Sequence, residues 1–263
     1  MTVLATVPVD TAAAARRILL TYRRSPGLMA ASLAVPVAMV GVFGYVFGSA
    51  VRVPGGGNYR EYLMPGLFAL VAVNGLMPTM VGAARDAGRG VTDRLRSMSV
   101  SRFGLLLGQA LADLLVAAVV LVPTAAVGLA AGWRVRDGLG PALGAFALLL
   151  LFRFTVTWVG TTLGLAVGKE ETAGQLAVLV FPFAMVANVF VPTGGMPGWL
   201  AAVADWNPIS AVAAACRTLF GNPVELGGAW PMQHPVAATL GWCALLLAVF
   251  VPLAVRRFAS AGR

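Results

Sequence analysis

The chain has 263 residues, of which 59% are hydrophobic and 11% charged; its mean hydropathy of +0.85 excludes an ordinary soluble domain. At about 20 apolar residues per crossing, there is room for roughly six membrane spans with their loops and none for a large water-soluble domain. The net charge of +9 could suit a nucleic-acid binder, but the basic residues cluster at the ends of apolar runs and form no soluble basic face with interleaved aromatics, so no nucleic acid is expected as a partner.

Residues 10–24 have helical periodicity, with Ala12, Ala15, Ile18, Leu19 and Tyr22 on one face and Arg16, Arg17, Arg23 and Arg24 on the other. That pattern predicts an amphipathic helix lying in the membrane surface, its basic face toward anionic lipid headgroups. Ser25-Pro26-Gly27 ends it. The apolar run that follows is longer than the core of a cleaved signal peptide and reads as a first span.

Spans are expected at about 28–48, 63–84, 103–131, 141–167, 175–191 and 236–255. Each is taken as a helix, because backbone groups in hydrocarbon must pair internally. Residues 192–235 are apolar but broken by Pro192, Pro197, Pro208, Pro223, Pro231 and Pro235. Short interfacial or re-entrant helices at 198–206 and 209–220 suit that segment better than an open loop. The whole chain reads as one all-α polytopic transmembrane domain.

Thirteen of the 19 Lys and Arg residues fall on one side of this topology: four at residues 16–24, five in 85–102, Lys169, and Arg256, Arg257 and Arg263. Arg52, Arg60, Arg134, Arg136 and Arg217 fall on the other. This bias places both termini and residues 85–102 in the cytoplasm of a multi-pass protein of the cytoplasmic membrane. Trp133, Trp199, Trp206 and Trp230 then lie toward the outer face, where indole rings favour the interface.

Catalytic chemistry has no footing. The single histidine, His234, and two distant cysteines, Cys216 and Cys243, build no metal site or disulfide framework. Gly164-Leu165-Ala166-Val167-Gly168-Lys169 runs into Glu170 without the spacing of a phosphate-binding loop. No cofactor, metal or ATP hydrolysis is expected of this chain.

The charged island at 85–102 is the best functional clue. A helix begun at Val91 places Val91, Leu95 and Met98 on one apolar strip, with Asp93, Arg94, Arg96 and Ser97 around the rest. By pattern alone this is either a docking helix for a soluble motor or a basic loop that sets topology.

The motif Gly90-Val91-Thr92-Asp93-Arg94-Leu95-Arg96-Ser97-Met98-Ser99-Val100-Ser101-Arg102 resembles the signature of ABC-2 type permeases between their second and third spans, nearest to the daunorubicin-resistance branch. It departs at Ser99, where the family usually has proline. A second match lies in Asn188-Val189-Phe190-Val191-Pro192-Thr193, Met196-Pro197-Gly198-Trp199-Leu200, Asn207-Pro208-Ile209-Ser210 and Arg217, similar to the family's extracytoplasmic segment before the last span. The resemblance implies the permease subunit of an exporter. A second, identical copy would complete the pathway, and ATP-binding subunits would dock beneath on a coupling helix at about 91–98, aided by the N-terminal surface helix. Lipophilic drugs, antibiotics or lipids would be the cargo.

Within the spans, Arg153 is costly at the bilayer centre. It is either a pathway residue or an arginine paired inside the protein, with Asp113 as candidate partner. Asn188 and Phe190, before the Pro192 break, are candidates for an outer gate or for ordinary capping and packing. Gly160, Gly164 and Gly168 recur every four residues and allow close helix approach within one chain or across a dimer seam. A proton- or ion-coupled carrier acting alone is the alternative function, with Asp113 as its one plausible relay carboxylate. A lipid-modifying enzyme is opposed by the missing catalytic set.

Overall fold

The computed structural model describes residues 12, 16, 20, 26–46, 53, 57–88, 102–224 and 228–260, and every regular element among them is helical. In chain order, α1 (Pro26–Gly41) runs into a π-helical turn (Val42–Val46), and the second apolar run forms α2 (Tyr59–Val73) and α3 (Leu76–Gly88). Helices α4 (Arg102–Ala130) and α5 (Leu139–Val167) follow, then α6 (Glu170–Ala177) and α7 (Val180–Val186). The remainder is a 3-10 turn (Thr193–Gly195), α8 (Gly198–Asp205), α9 (Pro208–Phe220), α10 (Trp230–Gln233) and α11 (Pro235–Ser260).

Four stretches among the described residues are long and apolar enough to cross a membrane: Tyr59–Gly88, Phe103–Ala130, Leu139–Val167 and Pro235–Phe258. Helix α4 exposes Leu111, Leu115, Val119 and Val122, and α11 exposes Leu240, Leu245, Val249 and Leu253. Apolar stripes on such helices are what a lipid solvent accepts and water does not. A multi-pass, all-helical membrane protein is therefore the architecture.

Helix α5 is the axis, packing on α2, α3, α4, α6, α9 and α11. Its closest seam is with α3. A methyl group on Gly160 would come within 2.9 Å of the Leu76 carbonyl, and one on Gly164 would collide with the Met80 carbonyl. Two of the three spaced glycines thus serve packing within one chain. The third, Gly168, ends α5 in the left-handed conformation at φ 65°, its N–H donating to the Gly164 carbonyl at 2.9 Å.

Two expected spans are broken, and proline explains both. Pro78 has no N–H for the Asn74 carbonyl, and the second run turns at Asn74-Gly75 before α3 begins. Pro182 likewise offers nothing to the Val178 carbonyl, which takes the Phe181 N–H at 3.1 Å instead. The fifth run, expected as one helix over 175–191, is therefore two short helices of 8 and 7 residues ending at Val186.

The core also corrects one sequence expectation. Trp133 is not an interfacial ring. It is 1% exposed, packs edge-on against Phe68 and Phe220, and donates Nε1–H to Asn222 Oδ1 at 2.7 Å. Trp199, Trp206 and Trp230 are exposed, as interfacial rings would be. Helix α8 is a surface element, but α9 is buried from Ile209 through Arg217. Local chemistry sets its ends: Asn207 Oδ1 accepts the Ile209 N–H at 2.9 Å, Pro208 occupies the first turn, and Gly221 closes at φ 67°.

Candidate functional site

The middle of the molecule holds a buried ion pair. Arg153 lies at the midpoint of α5 and meets Asp113 of α4 as a fork, Nη2 to Oδ1 at 2.6 Å and Nε to Oδ2 at 2.8 Å. The Thr157 hydroxyl donates to Asp113 Oδ2 at 2.6 Å. Arg153 Nη1 sits 3.4 Å from the Val71 and Ala72 carbonyls, in the last turn of α2 where the helix breaks. The guanidinium lies so close over Gly75 that any Cβ there would collide with it. The break after α2 thus gives Arg153 both room and carbonyls, and a cation at a helix C-terminus is electrostatically favoured. The pairing anticipated for Arg153 is present, and it neutralises a charge that hydrocarbon would not tolerate.

Beside this pair is a cavity of about 440 Å³. Met39 of α1, Leu67 of α2, Val116 and Val120 of α4, and Phe181 and Met185 of α7 form much of its wall. Among the described residues, Asn74 and Arg153 are the two polar side chains lining it. Phe190 lines it as well, whereas Asp113 lies behind Arg153.

Asn188 lies elsewhere, in a second polar cluster built on Arg217. The Arg217 side chain donates to the carbonyls of Tyr62 at 2.9 Å, Asn188 at 2.9 Å and Val189 at 3.1 Å, and to Asn188 Oδ1 at 3.1 Å. Its guanidinium stacks 3.7 Å over the Tyr62 ring. The Tyr62 hydroxyl donates to the Asn188 carbonyl at 2.8 Å and the Tyr59 hydroxyl to the Phe190 carbonyl at 2.9 Å. Residues 187–190 are non-helical backbone in an apolar core, and these donors supply what a helix would have supplied. Arg217, grouped by sequence among water-facing charges, is 1% exposed.

Two further ion pairs bracket the bundle. Arg85, near the end of α3, pairs with Glu170 in the first turn of α6, with both side chains well exposed. Buried Glu61 is met by Arg136 at 2.7 and 3.1 Å, and these hydrogen bonds raise the Arg136 pKa above its usual value. Sequence reasoning missed Asn74, Gly75 and Glu170. An amide followed by Gly75 and Pro78 inside a membrane-length run was the signal for the first two; nothing local marks Glu170 as the partner of Arg85.

The residues expected to couple to an ATPase, Gly90, Val91, Asp93, Arg94, Leu95, Arg96, Ser97 and Met98, lie outside the described residues, as do Arg17, Arg23 and Arg24. Arg16 is helical and exposed.

A profile of the family described as ABC-2 type transporter matches residues 10–220. The chain is 29% identical over 243 residues to the daunorubicin resistance ABC transporter permease protein of Streptomyces coeruleorubidus, covering 92% of this chain and 83% of that one. It is 22% identical to a probable doxorubicin resistance ABC transporter permease protein of Mycobacterium tuberculosis, covering 91% and 84%. To a probable multidrug ABC transporter permease of Escherichia coli it is 25% identical, covering 70% of this chain and 51% of that one.

Proposed function

The chain belongs to the ABC-2 type transporter family, and we propose that it is the permease of an exporter moving a lipophilic drug, antibiotic or lipid across the cytoplasmic membrane. ATP is hydrolysed by a separate ATP-binding subunit. The observation that carries this reading is the family match across most of the chain, joined to four membrane-length apolar helices. The drug-resistance names of the relatives, matched over nearly their full length, support the cargo class.

In this reading six spans cross the membrane with both termini in the cytoplasm. The first is α1 with its π-turn, and the fifth is the broken α6–α7 pair. Two copies of the chain form the pathway. Residues 91–98 dock on the ATPase as the coupling helix, with Asp93 and Arg94 at the contact. The 10–24 helix lies on the same membrane face, where Arg16, Arg17, Arg23 and Arg24 meet lipid headgroups.

The position of α3 supports such coupling. It leads directly into residues 89–101, packs tightly on α5, and reaches α6 through Arg85 and Glu170. A push on the cytoplasmic segment is thereby carried to the walls of the cavity. The carrier alternative finds less support, because both Asp113 oxygens are occupied by Arg153 and Thr157.

The test is reconstitution with the cognate ATP-binding subunit in vesicles. ATP-dependent transport of an anthracycline is expected, and charge reversal at Asp93 and Arg94 should weaken ATPase capture and transport together. If both survive the reversal, the coupling role is wrong. Transport by the permease alone, driven by a pH gradient without ATP, would establish the carrier instead.

A further inference from the structure

The geometry points to the cavity between α1, α2, α4 and α7 as a binding site for an uncharged amphiphile that is apolar over most of its surface and hydrogen-bonds at Asn74. The inference rests on the exporter reading for its biological use, but the site itself stands on observations independent of it.

Size is the first. A cavity of about 440 Å³ falls in the range of small-molecule sites, about 300–1,000 Å³.

Charge is the second. Arg153 lines the cavity, but its guanidinium is engaged by both oxygens of Asp113 and by two backbone carbonyls. The pair is neutral as a unit. An anionic ligand would have to compete with a fork already formed, and a cationic one would face the guanidinium without a free carboxylate oxygen. Neither sign is favoured in so apolar a space, and an uncharged ligand is.

Asn74 is the third. It lies at mid-length of the Tyr59–Gly88 stretch, is exposed, and its side chain hydrogen-bonds to none of the described residues. Its own carbonyl has lost its helical donor, because Pro78 stands four residues on. An amide and a carbonyl left open at the depth of a hydrocarbon core are unfavourable unless something polar reaches them. One hydroxyl or carbonyl on an otherwise apolar guest satisfies that need, and it gives the site orientation as well as affinity.

Such an amphiphile has two sources, the exporter's cargo or a bilayer lipid. The test uses the full chain in lipid nanodiscs without the ATPase, photolabelled with para-benzoylbenzyl alcohol, which is neutral and carries one hydroxyl. Labelling is expected at residues 70–78 and on α7, at one probe per chain. The anion para-benzoylbenzoate and the cation para-benzoylbenzyltrimethylammonium should label these positions far less. Asn74→Ala, at an exposed position, should cut labelling about fivefold, the weight of one ordinary hydrogen bond. Ala117→Phe should fill the space and abolish labelling; should that variant not fold, Asn74→Ala and the charged probes decide. Competition by a neutral anthracycline aglycone would assign the site to cargo, and competition by dioleoylglycerol alone would assign it to lipid. Labelling that is indifferent to probe charge and to Asn74→Ala overturns the site. The exporter reading fails separately, through absence of ATP-driven transport in vesicles that contain the ATPase.

Discussion

Arg153 and Arg217 are both buried guanidiniums in an apolar helical protein, and they are held by opposite means. Arg153 is neutralised by a side chain, the forked Asp113 carboxylate, and borders an open cavity. Arg217 is embedded in solid packing and holds backbone, drawing the carbonyls of Tyr62, Asn188 and Val189 onto one group with the Tyr62 ring beneath it. The first arrangement has a partner that substitution can remove or replace. The second is held mainly by main-chain carbonyls, which no substitution removes, with Asn188 Oδ1 and the Tyr62 ring beside them. The second arrangement also fixes the path of the chain between α7 and α9.

The sharpest way to break this comparison is Arg217→Ala. It removes the donors to the buried Val189 carbonyl and to Asn188 Oδ1, at about 1–3 kcal/mol each, so loss of the folded protein is expected in a size-exclusion profile of the detergent extract. Arg217→Lys should recover little, since an ammonium cannot span the same acceptors as a planar fork.

Asp113→Ala comes next. It leaves Arg153 buried and uncompensated, at about 3–5 kcal/mol, and should lower the thermal midpoint strongly. The double variant Asp113→Leu with Arg153→Met should restore most of that loss, because a buried pair is often replaced by apolar residues at little net cost. If the double variant is no more stable than Asp113→Ala, the pair is doing something other than neutralising itself. No equivalent rescue exists for Arg217.

Gly164→Leu tests the packed seam between α3 and α5. Overpacking against the Met80 carbonyl should cost about 1–3 kcal/mol, read as a lowered thermal midpoint, whereas Gly82→Ala, at an open position, should leave it unchanged. The smallest effect on stability is expected for Arg85→Glu. An exposed pair is worth about 0.2–1 kcal/mol, yet export should fall if this contact transmits motion from α3 to α6. Exchanging the charges, Arg85→Glu with Glu170→Arg, should recover transport. Unchanged transport in the single variant would remove the contact from the coupling route.

The legible part of the site followed local rules. The charge of Arg153 inside an apolar run demanded a partner, and Asp113 was the acid within reach. The missed part was either local but subtle, as with Asn74 ahead of Gly75 and Pro78, or wholly non-local. Trp133 reads as an interfacial tryptophan because its neighbours in sequence are loop residues; only the fold brings Phe68, Phe220 and Asn222 around it. Arg217 reads as a loop-side charge for the same reason.

What the sequence determined by itself was membrane residence, the positions of the apolar runs, a short helix over 209–220 and the family. These depend on hydrophobicity, helical period and turn chemistry, all of which act over a few neighbouring residues. What only the tertiary structure decided was which runs break within the bundle, which arginines are buried, which glycines face α3, and that a neutralised pair and an open amide meet at one cavity. Those outcomes join side chains dozens of residues apart, and a buried charge or polar backbone group is stable only where distant elements converge to satisfy it.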